Sequence, residues 1–407
     1  MQPAPGVVPD RTVRTWRNAV FGVFGICGFT IAAWASRVPD VRDILHASTQ
    51  QMGLLVVGIA IGSILGLVAS SHLVSALGAT RTIRWAYTVS PIALGLVGVA
   101  ASVAPSFTLL LAGLIVFGVG FSTTDVAMNL SGAANERAIG RSIMPLYHAA
   151  FSLGTVLGAA VGALTLLLSV PIGVHLGVTG LIGVVVTQVS VRFLQPAESP
   201  DVEHEAAGGW RSRLAVWGNP RVLLIGVVVL GMALAEGSAG DWLSLAVVDG
   251  RDFTQAAGAA MYGVFVAAMT LGRAGGVVLL DRLGRVPVLR GSVVAAAIGL
   301  ALVILVPSPI AAIAGVVLWG LGASLGFPVG MSAAADDPRT ATANVSAVAT
   351  IGYFAFLVGP PGIGFLGQHV GLLNALIAVL VLTVAAGAAA GAVRQPVRPA
   401  RAVPADA

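Results

Sequence analysis

The sequence predicts an all-α membrane protein of twelve transmembrane helices, set as two pseudo-symmetric six-helix bundles around a central cavity. Three observations predict it: the composition, the spacing of the apolar runs, and short motifs that recur half a chain apart. Of 407 residues, 57% are hydrophobic and only 10% charged, with mean hydropathy +0.94. A water-soluble domain carries about a quarter charged residues. No aqueous fold could hide this much apolar surface.

A helix that crosses the hydrocarbon core needs about 20 apolar residues, and Pro, Gly and Arg cut the chain into twelve such runs. The first six cover 18–36, 51–72, 83–103, 107–130, 144–168 and 171–193. The longest hydrophilic segment follows at 195–219, with Glu198, Asp201, Glu203, Glu205, Arg211 and Arg213, and reads as a cytoplasmic linker. The second six cover 221–247, 256–279, 286–306, 309–334, 344–368 and 372–393. Bundles over 1–194 and 220–394 result, with a disordered cytoplasmic tail at 395–407. The run from Trp16 is too long for a signal-peptide core and reads as a retained first helix.

Charge placement sets the expected orientation. All 22 basic residues are Arg, and 18 of them fall in segments that are cytoplasmic if the N-terminus is inside. The positive-inside rule then puts both termini in the cytoplasm of a bacterial inner membrane. A net charge of +5 does not indicate nucleic acid, because the Arg residues lie between apolar runs without an aromatic-interleaved patch. The single Cys27 excludes a disulfide framework and a CxxC site. No glycine run precedes Lys and Ser/Thr in the manner of a phosphate loop, so ATP-driven chemistry has no support. Neither HExxH nor a Ser/His/Asp set appears at common depth, so no enzyme, metal or cofactor is expected.

Repetition is the third observation. Thr49-Gln50-Gln51-Met52-Gly53 opens helix 2 and Thr254-Gln255-Ala256-Ala257-Gly258 opens helix 8, 205 residues later. Trp34-Ala35-Ser36 and Trp242-Leu243-Ser244 lie 208 apart, and Phe117-Gly118-Val119-Gly120 and Trp319-Gly320-Leu321-Gly322 lie 202 apart. Three ordered matches at nearly one offset argue for a duplicated six-helix unit. A parallel repeat implies a cavity between its copies.

The loop Asp281-Arg282-Leu283-Gly284-Arg285 after helix 8 resembles the Asp-Arg-x-Gly-Arg signature of the major facilitator superfamily. Its partner after helix 2 keeps Gly78 and Arg81 but has Ser75 where the acid belongs. More narrowly, Trp34 to Asp40, Asp125 to Asn129, Met144-Pro145 with His148, Glu236-Gly237 with Asp241-Trp242, and Gly272-Arg273 resemble the YbjJ-like branch, akin to the fucose/proton symporter group. The resemblance runs from Arg17 to Arg394. It implies a monomeric secondary active transporter in contact with membrane lipid, moving a small organic solute by alternating access with proton coupling. A sensor or scaffold that kept the fold without transport is the alternative.

An ionisable side chain within a membrane helix costs several kcal/mol unless paired or hydrated, so each is a functional candidate. At about 1.5 Å per residue they sort into two groups. Glu236, Asp241, Trp34 and Arg37 form an external group, with Trp242 beside them. Asp125, Arg273 and His148 form an internal group, with Asn129 on the face of Asp125 at i, i+4. Glu236 reads as a coupling carboxyl or a hydrogen-bonded structural one, and Asp241 as a substrate or coupling group or a hydrated helix end. Trp34, Trp242 and Trp319 read as ligand-stacking rings or as an interfacial belt. For the internal group the expectation is a direct or water-bridged Asp125–Arg273 pair that helps close the inner side, with Asn129 and His148 as lesser partners. Arg37, Asp281, Arg282, Gly284 and Arg285 complete the gating set. Gly58, Gly62, Gly66, Gly154, Gly158 and Gly162 are expected to let helices approach closely. Gly359-Pro360-Pro361-Gly362 is expected to break helix 11 as a hinge or a static kink.

Overall fold

The computed structural model describes residues 10–139, 143–195, 216–334, 336–337 and 340–395. Most of the linker, the C-terminal tail and the side chain of Pro145 lie outside the described residues. Twelve helices among the described residues are long and apolar enough to cross a membrane. They are spans 1 (Arg11–Leu45), 2 (Thr49–Ser70), 3 (Ala79–Val103), 4 (Phe107–Ile139), 5 (Leu146–Leu167) and 6 (Ile172–Ser190), then 7 (Pro220–Arg251), 8 (Gln255–Gly276), 9 (Arg285–Leu305), 10 (Pro309–Ala334), 11 (Ala347–Val370) and 12 (Leu372–Val393). Successive spans alternate in direction. The start of span 1, the entry to span 7 and the end of span 12 therefore share one face, the linker side; turns 46–48 and 252–254 lie on the far side.

Local chemistry explains where helices begin and end. Ser48 caps span 2: its hydroxyl accepts from Gln51 N at 3.2 Å while Gln51 Oε1 accepts from Ser48 N at 2.8 Å. Thr254 caps span 8 by accepting from Ala257 N at 3.2 Å. The repeated Thr-Gln motif thus sits at a helix N-terminus in both halves. Gly78 and Gly284 end the following turns with φ of +77° and +79°, a region in which a Cβ is strained.

The packing repeats as the sequence does. Span 1 lies on 5 and 6, span 2 on 4, and span 3 on 4 and 6. Correspondingly, span 7 lies on 11 and 12, span 8 on 10, and span 9 on 10 and 12. The halves meet where span 5 packs on 8 and span 2 on 11. The glycine stripes do what the spacing predicts: Gly62 and Gly66 lie directly on the span 4 backbone at Ile115 and Val119, and Gly154 and Gly158 on span 1 at Gly25 and Phe29. Outward-facing apolar residues such as Val103, Leu167 and Ile310 are strongly exposed, as a surface solvated by lipid requires.

Two spans are interrupted at repeat-equivalent places. Span 1 consists of helix Asp10–Ala35, a turn at Ser36 and Arg37, and helix Val38–Leu45. Span 7 carries a π-helical turn, Ala239–Leu243, between helices Pro220–Ser238 and Ser244–Arg251. Span 10 also divides, between Ala323 and Gly326. Span 11, where a break is expected, stays helical from Ala341 to Val370 through Pro360 and Pro361. Proline removes a donor and bends a helix without always ending it. Here neighbouring chain supports the site: a Cβ on Gly53 of span 2 would stand 3.0 Å from Pro360 O and 3.2 Å from Pro361 Cα.

The Arg asymmetry makes the topology testable. In a Cys27→Ser background, cysteines at Gly208 in the linker and at Asp252 in the far-side turn should react with impermeant maleimide from opposite sides of the membrane. Asp252 is exposed, whereas a side chain at neighbouring Gly250 would collide with Leu373. Reaction of both from one side would overturn the alternation of spans.

Candidate functional site

Between the halves lies a cavity of about 570 Å³, walled by spans 1, 2, 4, 7, 8 and 11. Trp34, Asp125 and Asp241 of the sequence-derived candidates line it. Ser63, Ser122, Tyr262, Thr350 and Tyr353 supply further polar groups, and Ile59, Phe121, Phe354 and Phe356 part of the apolar wall.

Asp241 occupies the π-turn of span 7. Such a turn inserts one residue into the helix and rotates the side chains that follow, which is why these turns collect at functional sites. Gly240 and Asp241 thereby face the cavity. The Asp241 carboxylate accepts no hydrogen bond among the described residues. Asp125, on span 4, is exposed to the cavity, and Asn129 Nδ2 donates to its carbonyl at 2.8 Å and to its Oδ1 at 3.3 Å. Asn129 thus orients Asp125 and is not itself in the wall.

Arg273 does not pair with Asp125. Its Nη2 lies 2.7 Å from Glu236 Oε1, and its Nε donates to Ser324 O at 3.3 Å. Depth explains half of the correction. Span 7 reaches Arg251, not the residue 247 expected, so Glu236 lies about 22 Å from the far end and Arg273 about 27 Å. Side chains lean toward the N-terminus of their own helix, and in these antiparallel spans that brings the two together. Azimuth explains the rest: Asp125 shares the depth, but span 4 packs on spans 1, 2 and 3. The division of span 10 leaves Ser324 O free for the guanidinium. The separation of external from internal groups therefore fails for Glu236 and Arg273, which are one mid-depth ion pair.

Other candidates resolve individually. Trp242 and Trp319 are fully buried and Trp34 is 3% exposed, so none belongs to an interfacial belt. The Trp242 ring packs against Gly364, and Trp319 Nε1 donates to Ala235 O at 3.0 Å. His148 is exposed and stands edge-on to Phe24, ring centroids 5.3 Å apart.

Charge also ties the ends of the bundle. On the far side Arg42 pairs with Asp43 at 2.7 Å and with Asp249 of the other half, and Gln255 Nε2 donates to Asp43 Oδ2 at 2.7 Å. These contacts latch the halves together, and the sequence reading did not single them out. Arg37 is buried and does not cross between halves: it donates to His175 Nδ1 at 3.0 Å, Asp40 Oδ2 at 2.8 Å and Val170 O at 2.8 Å, pinning the span 1 turn to the loop before span 6. On the linker side Arg285 and Arg221 both engage Asp336, at 2.8 and 2.9 Å, within the second half. Asp281 and Arg282 are exposed without a hydrogen-bond partner among the described residues, so Arg285 and the turn at Gly284 carry the contacts of that loop.

The polar cavity residues that were missed, Ser63, Ser122, Tyr262, Thr350 and Tyr353, are all hydroxyl-bearing. A census of charged groups passes over them, and the detectable signal was a Ser, Thr or Tyr inside an otherwise apolar span.

Residues 19–360 match the model of the Major Facilitator Superfamily. An uncharacterized MFS-type transporter of Yersinia pestis is 35% identical over 370 residues, 90% of this chain and 93% of its own. A crystal structure of a nucleoside transporter, a single-residue variant of NupG, superposes with a TM-score of 0.75 at 14% identity, over 94% of this chain and 99% of that one. The E. coli fucose:proton symporter FucP, likewise as a single-residue variant, superposes with a TM-score of 0.59 at 16% identity, over 92% and 98%.

Proposed function

Because the chain belongs to the Major Facilitator Superfamily and is a multi-pass bacterial membrane transporter, we propose that it is a secondary active carrier that moves a small organic solute by alternating access and draws on a proton gradient. The observation that carries this reading is the cavity between the halves, bridged on the far side by Arg42–Asp249 and Asp43–Gln255. Toward the linker side, Tyr353 and Phe354 of span 11 are about half exposed. In the proposed cycle this is the state open to the linker side, which the Arg distribution assigns to the cytoplasm. Parting the far-side latch while the linker side closes exposes the same cavity to the other face.

Glu236 is the proposed coupling carboxyl, and Arg273 its switch partner. With Glu236 ionised, the pair neutralises two charges that would each be costly alone at mid-membrane. A proton on Glu236 ends that neutralisation and frees the guanidinium to seek another acceptor, so proton occupancy and helix packing become linked. Asp125 and Asp241 supply charge to the solute site, with Trp34 as an aromatic wall.

Coupling is tested in proteoliposomes. With one proton moved per solute molecule and the membrane potential held at zero, a gradient of one pH unit is worth about 1.4 kcal/mol and drives about tenfold accumulation. Glu236→Gln keeps the shape but cannot titrate, so this accumulation should fall to equilibration while solute exchange persists. Undiminished accumulation in that variant would return Glu236 to a structural role.

A further inference from the structure

The cavity wall carries charge of one sign. Among the described residues, Asp125 and Asp241 are its charged members, and no Arg or His stands in it. The nearby cation, Arg273, is engaged by Glu236. The two carboxylates come from opposite halves, Asp125 from span 4 and Asp241 from span 7. As the halves close on each other, two like charges would be enclosed in a medium that screens them poorly. Either protons or a cation has to enter with them.

The remainder of the wall says what carries that positive charge. It is mostly apolar and rich in rings, including Trp34, Tyr262 and Tyr353. Ring faces attract cations, and rings pack on apolar bodies. A polyhydroxylated neutral solute would leave most of its hydroxyls unpartnered against such a wall, at a desolvation cost for each, and an anion would be repelled. The volume of about 570 Å³ lies in the range that encloses a small organic molecule.

Building on the transporter reading above, we propose that the carried solute is a small organic cation, an amine with an apolar or aromatic body, held between the carboxylates of Asp125 and Asp241. Because one carboxylate belongs to each half, the bound cation draws the halves together, so solute binding favours closure of the cavity. Trp34, Tyr262 and Tyr353 hold the body of the solute, and the charge sets its position.

The test uses the full-length protein in lipid nanodiscs and four probes built on one phenyl body: phenethylamine, its N-trimethyl quaternary form, neutral 3-phenylpropanol and anionic 3-phenylpropanoate. Thermal stability against probe concentration reads binding. The two cations should bind at concentrations at least tenfold lower than the neutral and anionic probes. Asp125→Asn and Asp241→Asn should each weaken cation binding tenfold or more and leave the neutral probe within about threefold. The comparison of probes on the unsubstituted protein does not depend on either variant folding. Equal or tighter binding of the neutral or anionic probe, cation binding indifferent to both substitutions, or no cation binding at millimolar concentration would each overturn the proposal. Flux separates it from the reading beneath it. Cation binding without flux in proteoliposomes would remove the transport reading and leave the cation site. Flux of an anionic or neutral solute without cation binding would do the reverse.

Discussion

Gly154→Val should abolish most of the folded protein. Gly154 sits where span 5 lies directly on the span 1 backbone, its position for a Cβ overlapping Gly25 O and standing 3.1 Å from Phe29 N. The reciprocal contact is formed by Gly28, whose Cβ would overlap Phe151 O and stand 2.9 Å from Thr155 N. A flexible side chain could move aside, but here the obstacle is backbone in a helix held by its own hydrogen bonds. Overpacking a core costs about 1–3 kcal/mol when neighbours can adjust, so a valine here should cost about 3 kcal/mol or more. Both helices also carry the site: span 1 brings Trp34 to the cavity wall, and span 5 packs on span 8, which bears Arg273. The measurement is the yield and melting temperature of detergent-solubilised protein by fluorescence-detected size exclusion. Gly177→Ala is the control, because nothing lies within 4 Å of the added atom and alanine is the better helix former by about 1 kcal/mol. Normal melting of Gly154→Val would mean that spans 1 and 5 are not in backbone contact.

Removing the far-side latch should have the second large effect, on conformational balance. Arg42 links Asp43 to Asp249 across the halves, and Gln255 takes the other oxygen of Asp43. These groups are partly exposed, so each contact is worth about 0–1 kcal/mol. Losing both in Arg42→Ala with Gln255→Ala removes up to about 2 kcal/mol from the far-side-closed state. By itself that shifts a two-state population by up to about thirtyfold. Spin labels at His46 and Asp252, exposed residues in far-side turns of opposite halves, should report a longer distance population in the double variant. Exchanging the charges, Arg42→Asp with Asp249→Arg, should return part of the short population. A distance distribution unmoved by the double substitution would show that the apolar contacts between spans 2 and 11 and between 5 and 8 hold the far side shut without the latch.

The number of spans, their alternation and their duplication were all legible in the chain. Each rests on a one-dimensional quantity: the length of an apolar run, the count of Arg in the segments between runs, and the offset between matching motifs. Close helix contacts were legible for the same reason, since glycine at i, i+4 leaves one face without side chains whatever packs on it. The twelve boundaries were less so. Spans 4 and 7 extend nine and four residues beyond the expected 130 and 247, because polar residues at a helix end are tolerated once they reach water.

What the chain could not supply was azimuth, nor the full length of span 7 that sets the depth of Glu236. Asp125, Glu236 and Arg273 were recognised from composition alone, as charges that cannot sit idle in apolar helices. Which acid met the arginine depended on how spans 4, 7 and 8 are rotated about their axes, and on a division in span 10 that freed Ser324 O. Helix 11 shows the same limit in reverse: Gly359-Pro360-Pro361-Gly362 reads as a break, yet the backbone of span 2 at Gly53 lies against it and the helix continues. The sequence by itself determined a duplicated twelve-helix membrane protein with a few costly charges inside its spans, because hydrophobic length and charge act locally along the chain. Only the tertiary structure decided that Glu236 takes Arg273, that Asp125 and Asp241 face one cavity from opposite halves, and that Arg42 and Asp249 latch its far end. Those outcomes depend on the relative rotation and tilt of helices, which are set by contacts between residues distant in sequence.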